Sequence, residues 1–311
     1  MKDSELYDWI VANPKLATLK ESQSYPGFAV AKYKRNVFYD DLWNRQLEEC
    51  RGTVFDMETK KIVILPFRKI YNYGIDPKSP KFDDGEMCQA LRKVNGFMLG
   101  ATFVPCLNEI VLSTTGSLDS DFCRYGWEML LEMDPKEFEG FLSFVRLFPD
   151  ATHMFECVHP SDPHIIPEAV GLYYLGSRFH SLDASILYLT EIDTKAHEFL
   201  NTARVNILTP EWTTVGALKE KAMKVDHEGF VFYTPTGAAK IKSPYYLAAK
   251  LFARAGNLDR LLNGKAKDYL DEELWPLVDA VKADREFFAT LGEQERLTYC
   301  REILNEIVAT A

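Results

Sequence analysis

The sequence changes from short strand-like segments to continuous helical spacing near residue 243, and this change most constrains its fold. The first half contains β-rich segments that end at Gly, Pro, Asn or Asp, namely RGTVFD, KIVIL, GFMLGATFV and EIVLSTTG. Strand-like segments return further along as HMFECV, GLYYLGSR, ILYLTEI, GFVFYT and AAKIKS. So many short strands, with helices between them, predict a strand-rich mixed body.

Helix signals lie between these strands. Asp119 is predicted to cap one helix, and Asp134 followed by Pro135 forms the N-cap and first residue of a second. Two more helices are predicted near 194–204 and 215–224.

A helical module is predicted to follow the body. Ser243-Pro244 is a helix-start signal, and residues 245–311 have helical spacing with few breaks. We therefore expect an α+β fold with two domains, residues 1–243 and 244–311. Six aromatic residues are expected in the core of the second domain, with base stacking as the alternative: Phe252, Tyr269, Trp275, Phe287, Phe288 and Tyr299.

Composition narrows the functional classes. The 311 residues are 47% hydrophobic and 26% charged, values that exclude a disordered or fibrous chain. The formal net charge of −10 argues against a protein that wraps duplex DNA by charge alone, so any nucleic-acid contact requires a local basic patch. Six cysteines without a CxxC pair argue against a zinc site and a disulfide framework, and they fit a reducing cytosol.

The same composition bears on membranes and secretion. The sequence contains no run of about 18 apolar residues, so no membrane-spanning helix is expected. The start MKDSELYDWI lacks a basic-then-apolar pattern, so no secretory signal is expected. We expect a cytoplasmic protein.

Lys93, in the segment LRKVNGFML, is the candidate nucleophile. It precedes Gly96 by three residues, just before an alternating strand, and glycine permits close backbone approach. A neutral lysine amine can attack phosphorus and form a phosphoramidate. Because a Lys-x-x-Gly pair occurs about once by chance in such a chain, a solvated lysine before a turn is the alternative.

Charged residues on later strands strengthen this hypothesis. Lys240 and Lys242 are two residues apart, so a strand presents both ammonium groups on one face, where an anion such as phosphate would relieve their repulsion. A solvated strand face is the alternative for this pair. Glu156 and Glu228 each end or open an apolar strand, and an ordinary edge-strand charge is the alternative for each.

Taken in order, these residues resemble four motifs of the covalent nucleotidyltransferases, the superfamily of DNA ligases, RNA ligases and mRNA capping enzymes. The matching segments are Lys93-Val94-Asn95-Gly96, Phe155-Glu156, Glu228-Gly229-Phe230-Val231 and Lys240-Ile241-Lys242. The flanking segments EECRGTVFDME, FRKIYNYG and FECVHPSDPHII resemble the RNA ligase 1 family of T-even-type bacteriophages. This resemblance covers residues 45 to 250, approximately, and implies an antiparallel-sheet-rich adenylation domain (1–243) with a small all-helical C-terminal domain (244–311).

The resemblance also implies a role for each residue. Lys93 is the nucleophile that takes AMP from ATP, and Glu228 serves a divalent metal, Mg²⁺ or Mn²⁺. ATP is further bound as follows: Glu156 at the ribose, Val231 on the adenine face, Lys240 and Lys242 at the α-phosphate, and Arg51 and Lys69 at the outgoing phosphates.

Two positions depart from the family pattern. The family often has Asp before the first-motif glycine, where this chain has Asn95. The family commonly has lysine just before Gly-Ser, where this chain has Thr115. The second departure implies that one cation has been lost or relocated.

The resemblance predicts an ATP-dependent RNA ligase for RNA repair, of the kind that bacteriophages encode. Its expected partners are single-stranded or nicked-loop RNA ends, with cleaved tRNA as one candidate. Neither membrane binding nor an obligate protein partner is expected. DNA ligases and capping enzymes need an OB-type barrel after the last motif, whereas this tail has helical spacing. Two alternatives stay open, a nucleic-acid-end binding protein without transfer activity and a GTP-dependent capping enzyme.

Overall fold

The computed structural model describes residues 1–162, 164–183, 191–203, 205–255, 261–262, 265–268, 270 and 272–309. The chain forms two compact units. Unit 1 comprises Met1–Lys69, Gly96–Pro163 and Glu168–Leu208, and unit 2 comprises Ile70–Asn95, His164–Pro167 and Thr209–Ala311. The domain boundary predicted after residue 243 falls inside unit 2 and stays a prediction.

Unit 1 contains two mostly antiparallel sheets and six helices among its described residues. The first sheet has the order β1-β2-β3-β4 and the second β11-β10-β9-β7-β8. The strands are β1 (Ala17–Glu21), β2 (Phe28–Tyr33), β3 (Arg51–Asp56), β4 (Ile62–Ile64), β7 (Phe97–Val104), β8 (Glu109–Ser113), β9 (Ala151–Val158), β10 (Gly171–Phe179) and β11 (Asn206–Ile207). The helices are α1 (Asp3–Ala12), α2 (Arg35–Tyr39), α3 (Arg45–Glu49), α4 (Asp121–Leu131), α5 (Pro135–Leu147) and α6 (Glu191–Leu200).

Two hydrophobic clusters hold unit 1 together. Val30 and Val54 of the first sheet pack with Val104 and Val111 of the β7–β8 hairpin. The second sheet packs with helices α4, α5 and α6 in a cluster that includes Phe155. Burial of these apolar faces is the main favourable contribution to the free energy of folding.

Unit 2 contains one sheet and, within its described residues, five helices. The sheet order is β12-β6-β13-β14-β5, all antiparallel except for the β14–β5 pair. The strands are β5 (Tyr71–Asn72), β6 (Met87–Arg92), β12 (Glu211–Thr214), β13 (Gly229–Thr234) and β14 (Gly237–Lys242). The helices are α7 (Val215–Ala222), α8 (Pro244–Ala255), α9 (Trp275–Ala283), α10 (Arg285–Thr290) and α11 (Glu293–Ala309), and short 3₁₀ turns span Ala266–Asp268 and Glu272–Leu274.

The α+β class is confirmed, and so is the N-terminal cap of α5. Asp134 accepts hydrogen bonds from the backbone N–H groups of Lys136 and Glu137, and Glu137 accepts one from the backbone of Asp134. The predicted capping role of Asp119 is wrong, because Ser120 precedes α4. The Asp119 carboxylate instead accepts hydrogen bonds from Ser22 and from the backbone of Ser24.

Most of the described residues after 243 lie in helices α8 to α11 or in the two short 3₁₀ turns. Phe288 is buried, whereas Phe287 is 54% exposed, so the prediction of a core position is wrong for Phe287. The side chains of Phe252 and Tyr269, and most of the predicted strand ILYLTEI, lie outside the described residues. None of the described helices is long and apolar enough to cross a membrane.

Candidate active site

The candidate nucleophile lies at the end of one strand, opposite the start of another. Strand β6 ends at Arg92, directly before Lys93, and Arg92 pairs with Phe230 of β13. The backbone N–H of Lys93 donates a hydrogen bond to the carbonyl of Gly229 at 2.8 Å. This antiparallel pairing puts Lys93 beside Glu228, and the Lys93 ammonium lies 3.2 Å from Glu228 Oε2.

Gly229 makes this approach possible. Its φ is +128°, and a Cβ there would lie 2.1 Å from the carbonyl oxygen of Ile241 on β14. No other residue fits without moving one of the two strands. The Glu-Gly pair seen in the sequence is therefore a structural requirement of the β13–β14 pairing.

The next strand brings in a second lysine. Gly229 pairs with Lys242 of β14, and Lys242 Nζ lies 3.1 Å from Glu228 Oε1. Each carboxylate oxygen of Glu228 thus contacts one ammonium group. Burial raises the pKa of Glu228, but the charges of Lys93 and Lys242 outweigh burial and lower it overall.

The sequence does not signal Glu273, which is central to this cluster. Its carboxylate lies 2.8 Å from Lys242 Nζ and 2.5 Å from Lys250 Nζ, and its side chain is 7% exposed. Burial opposes its charged form, but Lys242 and Lys250 lower the pKa of Glu273 overall. Burial likewise opposes the charge of Lys242, and the carboxylates of Glu273 and Glu228 outweigh it and raise the pKa of Lys242.

These contacts form a chain of five alternating charges, which we call the ion-pair chain. Its members, in order, are Lys93, Glu228, Lys242, Glu273 and Lys250. It runs from the candidate nucleophile into the helical part of unit 2. Buried charges are tolerated when each is paired, so removal of any interior member leaves a charge uncompensated.

The predicted arrangement of β14 is confirmed in geometry. Lys240 and Lys242 are two apart on the strand, while Ile241 is buried in the core with Phe230 and Phe232. The anions beside Lys242 are two protein carboxylates, those of Glu228 and Glu273, and the charge of Lys240 also contributes to lowering the pKa of Glu273. The phosphate-binding role of the two lysines stays a prediction.

Other predicted site residues lie in unit 1. Glu156, on β9, is buried and accepts a hydrogen bond from the backbone N–H of Gly96 at 3.1 Å. A Cβ on Gly96 would lie 2.4 Å from the carbonyl oxygen of Cys157. Because Gly96 has no side chain, its backbone can lie against strand β9, and its N–H group can donate a hydrogen bond to the Glu156 carboxylate.

Arg51 and Lys69 also belong to unit 1. Arg51 is the first residue of β3, and Lys69 is buried with its ammonium 4.2 Å from the centre of the Trp43 ring. The structure thus brings together Lys93, Glu228 and Lys242, with Val231 and Lys240 on the same sheet, within unit 2. Arg51, Lys69 and Glu156 form the unit 1 group.

A buried ion pair in unit 1 was also not signalled by the sequence. The Arg178 guanidinium donates hydrogen bonds to Glu49 Oε2 at 2.7 Å and to the carbonyl of Pro66 at 2.8 Å. Both side chains of the ion pair are fully buried. This pair joins α3 to β10 and has a structural role.

The structure shows no histidine metal centre among the residues that it describes. Within the described residues, no group of three or more His, Cys, Asp or Glu side chains could hold a metal ion. The His159 side chain is buried and stacks on the Tyr125 ring, with 4.5 Å between the ring centres.

The fit to a divalent metal rests on the donors of Glu228. Both of its oxygens face ammonium groups, and a hard cation such as Mg²⁺ uses few carboxylates and keeps several water ligands. Glu228 is the carboxylate predicted to bind such a cation, and this role stays a prediction.

Comparison with solved structures identifies proteins of similar fold. One similar structure is form 1 of an archaeal ATP-dependent RNA ligase, with a TM-score of 0.58 and 15% sequence identity. The match covers 98% of this chain and 76% of the archaeal chain. For form 2 of an archaeal ATP-dependent RNA ligase the TM-score is 0.56, with 16% identity over 99% and 77% of the chains. A candidate ATP-dependent DNA ligase from Aquifex aeolicus matches with a TM-score of 0.56 and 16% identity over 97% and 78% of the chains.

These likenesses show that the chain shares its fold with these RNA and DNA ligases. No protein-family model matches the sequence, and the search of curated proteins gave no match.

Proposed function

We propose that this protein is an ATP-dependent RNA ligase that joins 5′-phosphate and 3′-hydroxyl ends through a lysyl-AMP intermediate on Lys93. The observation that carries the proposal is the meeting of Lys93, Glu228 and Lys242, from three motifs, at one end of the β6-β13-β14 sheet. The fold shared with ATP-dependent RNA ligases supports it.

The first step is transfer of AMP to the enzyme. The Lys93 amine, having lost its proton, attacks the α-phosphorus of ATP, so that an N–P bond forms and the bond to the diphosphate breaks. The Glu228 carboxylate lies 3.2 Å from the Lys93 nitrogen. Because only a neutral amine is nucleophilic, this ion pair must be broken before attack.

The other site residues bind ATP, and the basic ones neutralise the negative charge that moves to the leaving diphosphate. Lys242 and Lys240 bind the α-phosphate, and Arg51 and Lys69 bind the outgoing phosphates. Glu156 holds the ribose, and Val231 packs on the adenine. A divalent metal held with Glu228 supplies further charge neutralisation when it is bound.

Two further transfers complete joining. AMP passes from Lys93 to the 5′-phosphate of RNA, which forms a 5′–5′ pyrophosphate bond. The 3′-hydroxyl then attacks this activated end, a 3′–5′ phosphodiester forms, and AMP leaves. The proposed family of this protein is the RNA ligase 1 family of T-even-type phages. Cleaved tRNA is a proposed substrate.

Joining assays test the proposal. The full chain, with ATP and Mg²⁺, should circularise a 5′-phosphorylated single-stranded RNA, and Lys93→Ala should not. Lys15→Ala, at an exposed lysine, serves as the control and should match the wild type. Pre-adenylated RNA should be sealed without ATP by the wild-type protein.

The alternatives give different outcomes in the same assays. An RNA-end binding protein would shift RNA in a gel but neither take label from ATP nor seal any substrate. A capping-type enzyme would take label from GTP instead of ATP. Sealing of nicked duplex DNA in preference to RNA would contradict the substrate class.

A further inference from the structure

Two basic residues face each other across the first sheet of unit 1. Lys32 of β2 and Arg51 of β3 are direct partners in the antiparallel register. Directly opposed residues project from the same face of a sheet, with Cβ atoms about 5 Å apart. The two cations are therefore neighbours on one face.

Neither side chain has an acidic partner within the part of the chain that the structure describes. The Lys32 ammonium and the Arg51 guanidinium take part in no ion pair or side-chain hydrogen bond there. Like charges placed directly opposite each other destabilise a sheet. Lys93, Lys242 and Lys250, by contrast, all contact carboxylates.

A tight turn completes the surface around this pair. The backbone N–H of Thr114 donates to the carbonyl of Ser117 at 3.0 Å and closes the turn between β8 and α4. The Lys32 ammonium lies 3.1 Å from the position of a Cβ on Gly116. Gly52, next to Arg51, lies against Thr114 and Thr115. We call Lys32, Arg51 and the turn 114–117 the anion cradle.

We propose that Lys32 is a further residue that binds the diphosphate end of a nucleoside triphosphate, beside Arg51, and that Lys32 determines the affinity of the anion cradle for inorganic pyrophosphate. This proposal rests on the proposed function. A diphosphate carries two charged groups on adjacent phosphorus atoms, so both cations can contact one ligand. An RNA backbone carries one charge per nucleotide and matches the close pair less well.

The position of Lys32 also accounts for a departure in the sequence. The family that the sequence resembles commonly has lysine where this chain has Thr115. The Lys32 ammonium lies beside the next residue, Gly116, so a cation reaches the same turn from a different strand.

Two variants test the cradle without a change in the core. Lys32→Ala removes the cation from an exposed position. Gly116→Ala keeps Lys32, but the new methyl group displaces its ammonium, which is the flexible end of a side chain. Lys61→Ala, at an exposed lysine beside β4, is the matched control.

Each protein is examined by three measurements. Calorimetry with inorganic pyrophosphate and Mg²⁺ gives a dissociation constant that does not depend on activity. Discharge of enzyme-bound AMP by pyrophosphate gives the concentration for half-maximal rate. Sealing of pre-adenylated RNA reports a step without diphosphate.

We expect Lys32→Ala to weaken pyrophosphate binding about tenfold and to raise the half-maximal pyrophosphate concentration by a similar factor. Gly116→Ala should give a smaller loss in the same direction, and Lys61→Ala no change. Sealing of pre-adenylated RNA by Lys61→Ala should stay within about twofold of wild type.

Unchanged pyrophosphate binding in Lys32→Ala would overturn the proposal, as would a wild-type protein that binds no pyrophosphate. A loss confined to RNA sealing would assign the cradle to RNA phosphates instead. If the wild type binds pyrophosphate through Lys32 but never accepts AMP, the cradle stands and the ligase proposal fails.

Discussion

The ammonium of Lys242 lies 2.8 Å from the carboxylate of Glu273, although 31 residues separate them in the sequence. Lys242 ends strand β14, and Glu273 lies in the 3₁₀ turn before helix α9. Through this contact the helical part of unit 2 fixes a lysine that also contacts Glu228. The C-terminal helices therefore position a candidate site residue.

The ion-pair chain predicts a large loss of stability for Glu273→Gln. The glutamine fits the same space but leaves Lys242 and Lys250 without one negative charge. We expect the free energy of unfolding to fall by about 3 kcal/mol at pH 7, measured by urea denaturation with circular dichroism. Glu286→Gln, at an exposed position on α10, is the control and should change it by less than about 0.5 kcal/mol.

The pH dependence provides a check on this assignment. Because the pKa of Glu273 is lowered in the folded state, its stabilising contribution is present above the unfolded value of about 4.3 and is lost as pH falls through the lower folded pKa. The difference between wild type and Glu273→Gln should therefore shrink below pH 4, approximately. A difference that stays constant down to pH 3 would point to packing instead of charge.

Glu228→Gln is predicted to impair transfer of AMP to the protein. The amide cannot balance the charges of Lys93 and Lys242, and it is a poor ligand for a divalent metal. We expect the rate of adenylate formation, measured with labelled ATP, to fall at least about 100-fold. Glu220→Gln, at an exposed position on α7, should retain the wild-type rate, and an equal rate in both variants would contradict the role of Glu228.

Gly229→Ala should be strongly destabilising. The added Cβ would lie 2.1 Å from the carbonyl oxygen of Ile241, at a φ of +128° that alanine rarely adopts. We expect a loss of about 3 kcal/mol or more in the free energy of unfolding. Gly237→Ala is the matched control on β14, because its Cβ would meet Pro80 at an ordinary 3.4 Å. A loss of less than about 0.5 kcal/mol for Gly229→Ala would show that the strand pairing tolerates a side chain at residue 229.

His153 is predicted to make unit 1 sensitive to mild acid. Burial lowers the pKa of His153 from 6.5 to about 3, so the folded protein stays neutral there while the unfolded chain binds a proton. Stability should therefore fall as pH decreases from 6.5 towards 3, at about 1.4 kcal/mol per pH unit for this one group. Urea denaturation at pH 7 and pH 5 measures the effect.

A substitution isolates the contribution of His153. His153→Gln should remove the contribution of one proton-binding group to the difference in unfolding free energy between pH 7 and pH 5. This holds whatever effect the substitution has at pH 7. His197→Gln, at an exposed position on α6, should leave that difference unchanged. The idea fails if both variants keep the full acid sensitivity of the wild type.

Local signals in the sequence predicted much of the fold. The segments RGTVFD and GFVFYT match β3 and β13 residue for residue, because β-rich runs bounded by turn residues have few alternatives. The Asp134-Pro135 start of α5 was predictable from capping chemistry. Elements with weaker local patterns, such as β2 and β6, were not predicted because their burial depends on partners far along the chain.

The candidate site was predictable only in part. Lys93, Glu228 and Lys242 were named from motif order, and the sheet register explains their meeting. Glu273 and Lys32 carry no local signal, since each acquires its role from a residue on another element. A Glu in a short turn and an exposed Lys on a strand look like ordinary surface residues until the fold is known.

The central claim is that Lys93 becomes covalently bonded to AMP. The direct measurement is intact mass spectrometry of the full chain after incubation with ATP and Mg²⁺, followed by mapping of the modified peptide. We predict the addition of one AMP group, located on Lys93, absent from Lys93→Ala and removed by pyrophosphate. An unmodified wild-type protein, or AMP on a different side chain, would contradict the account.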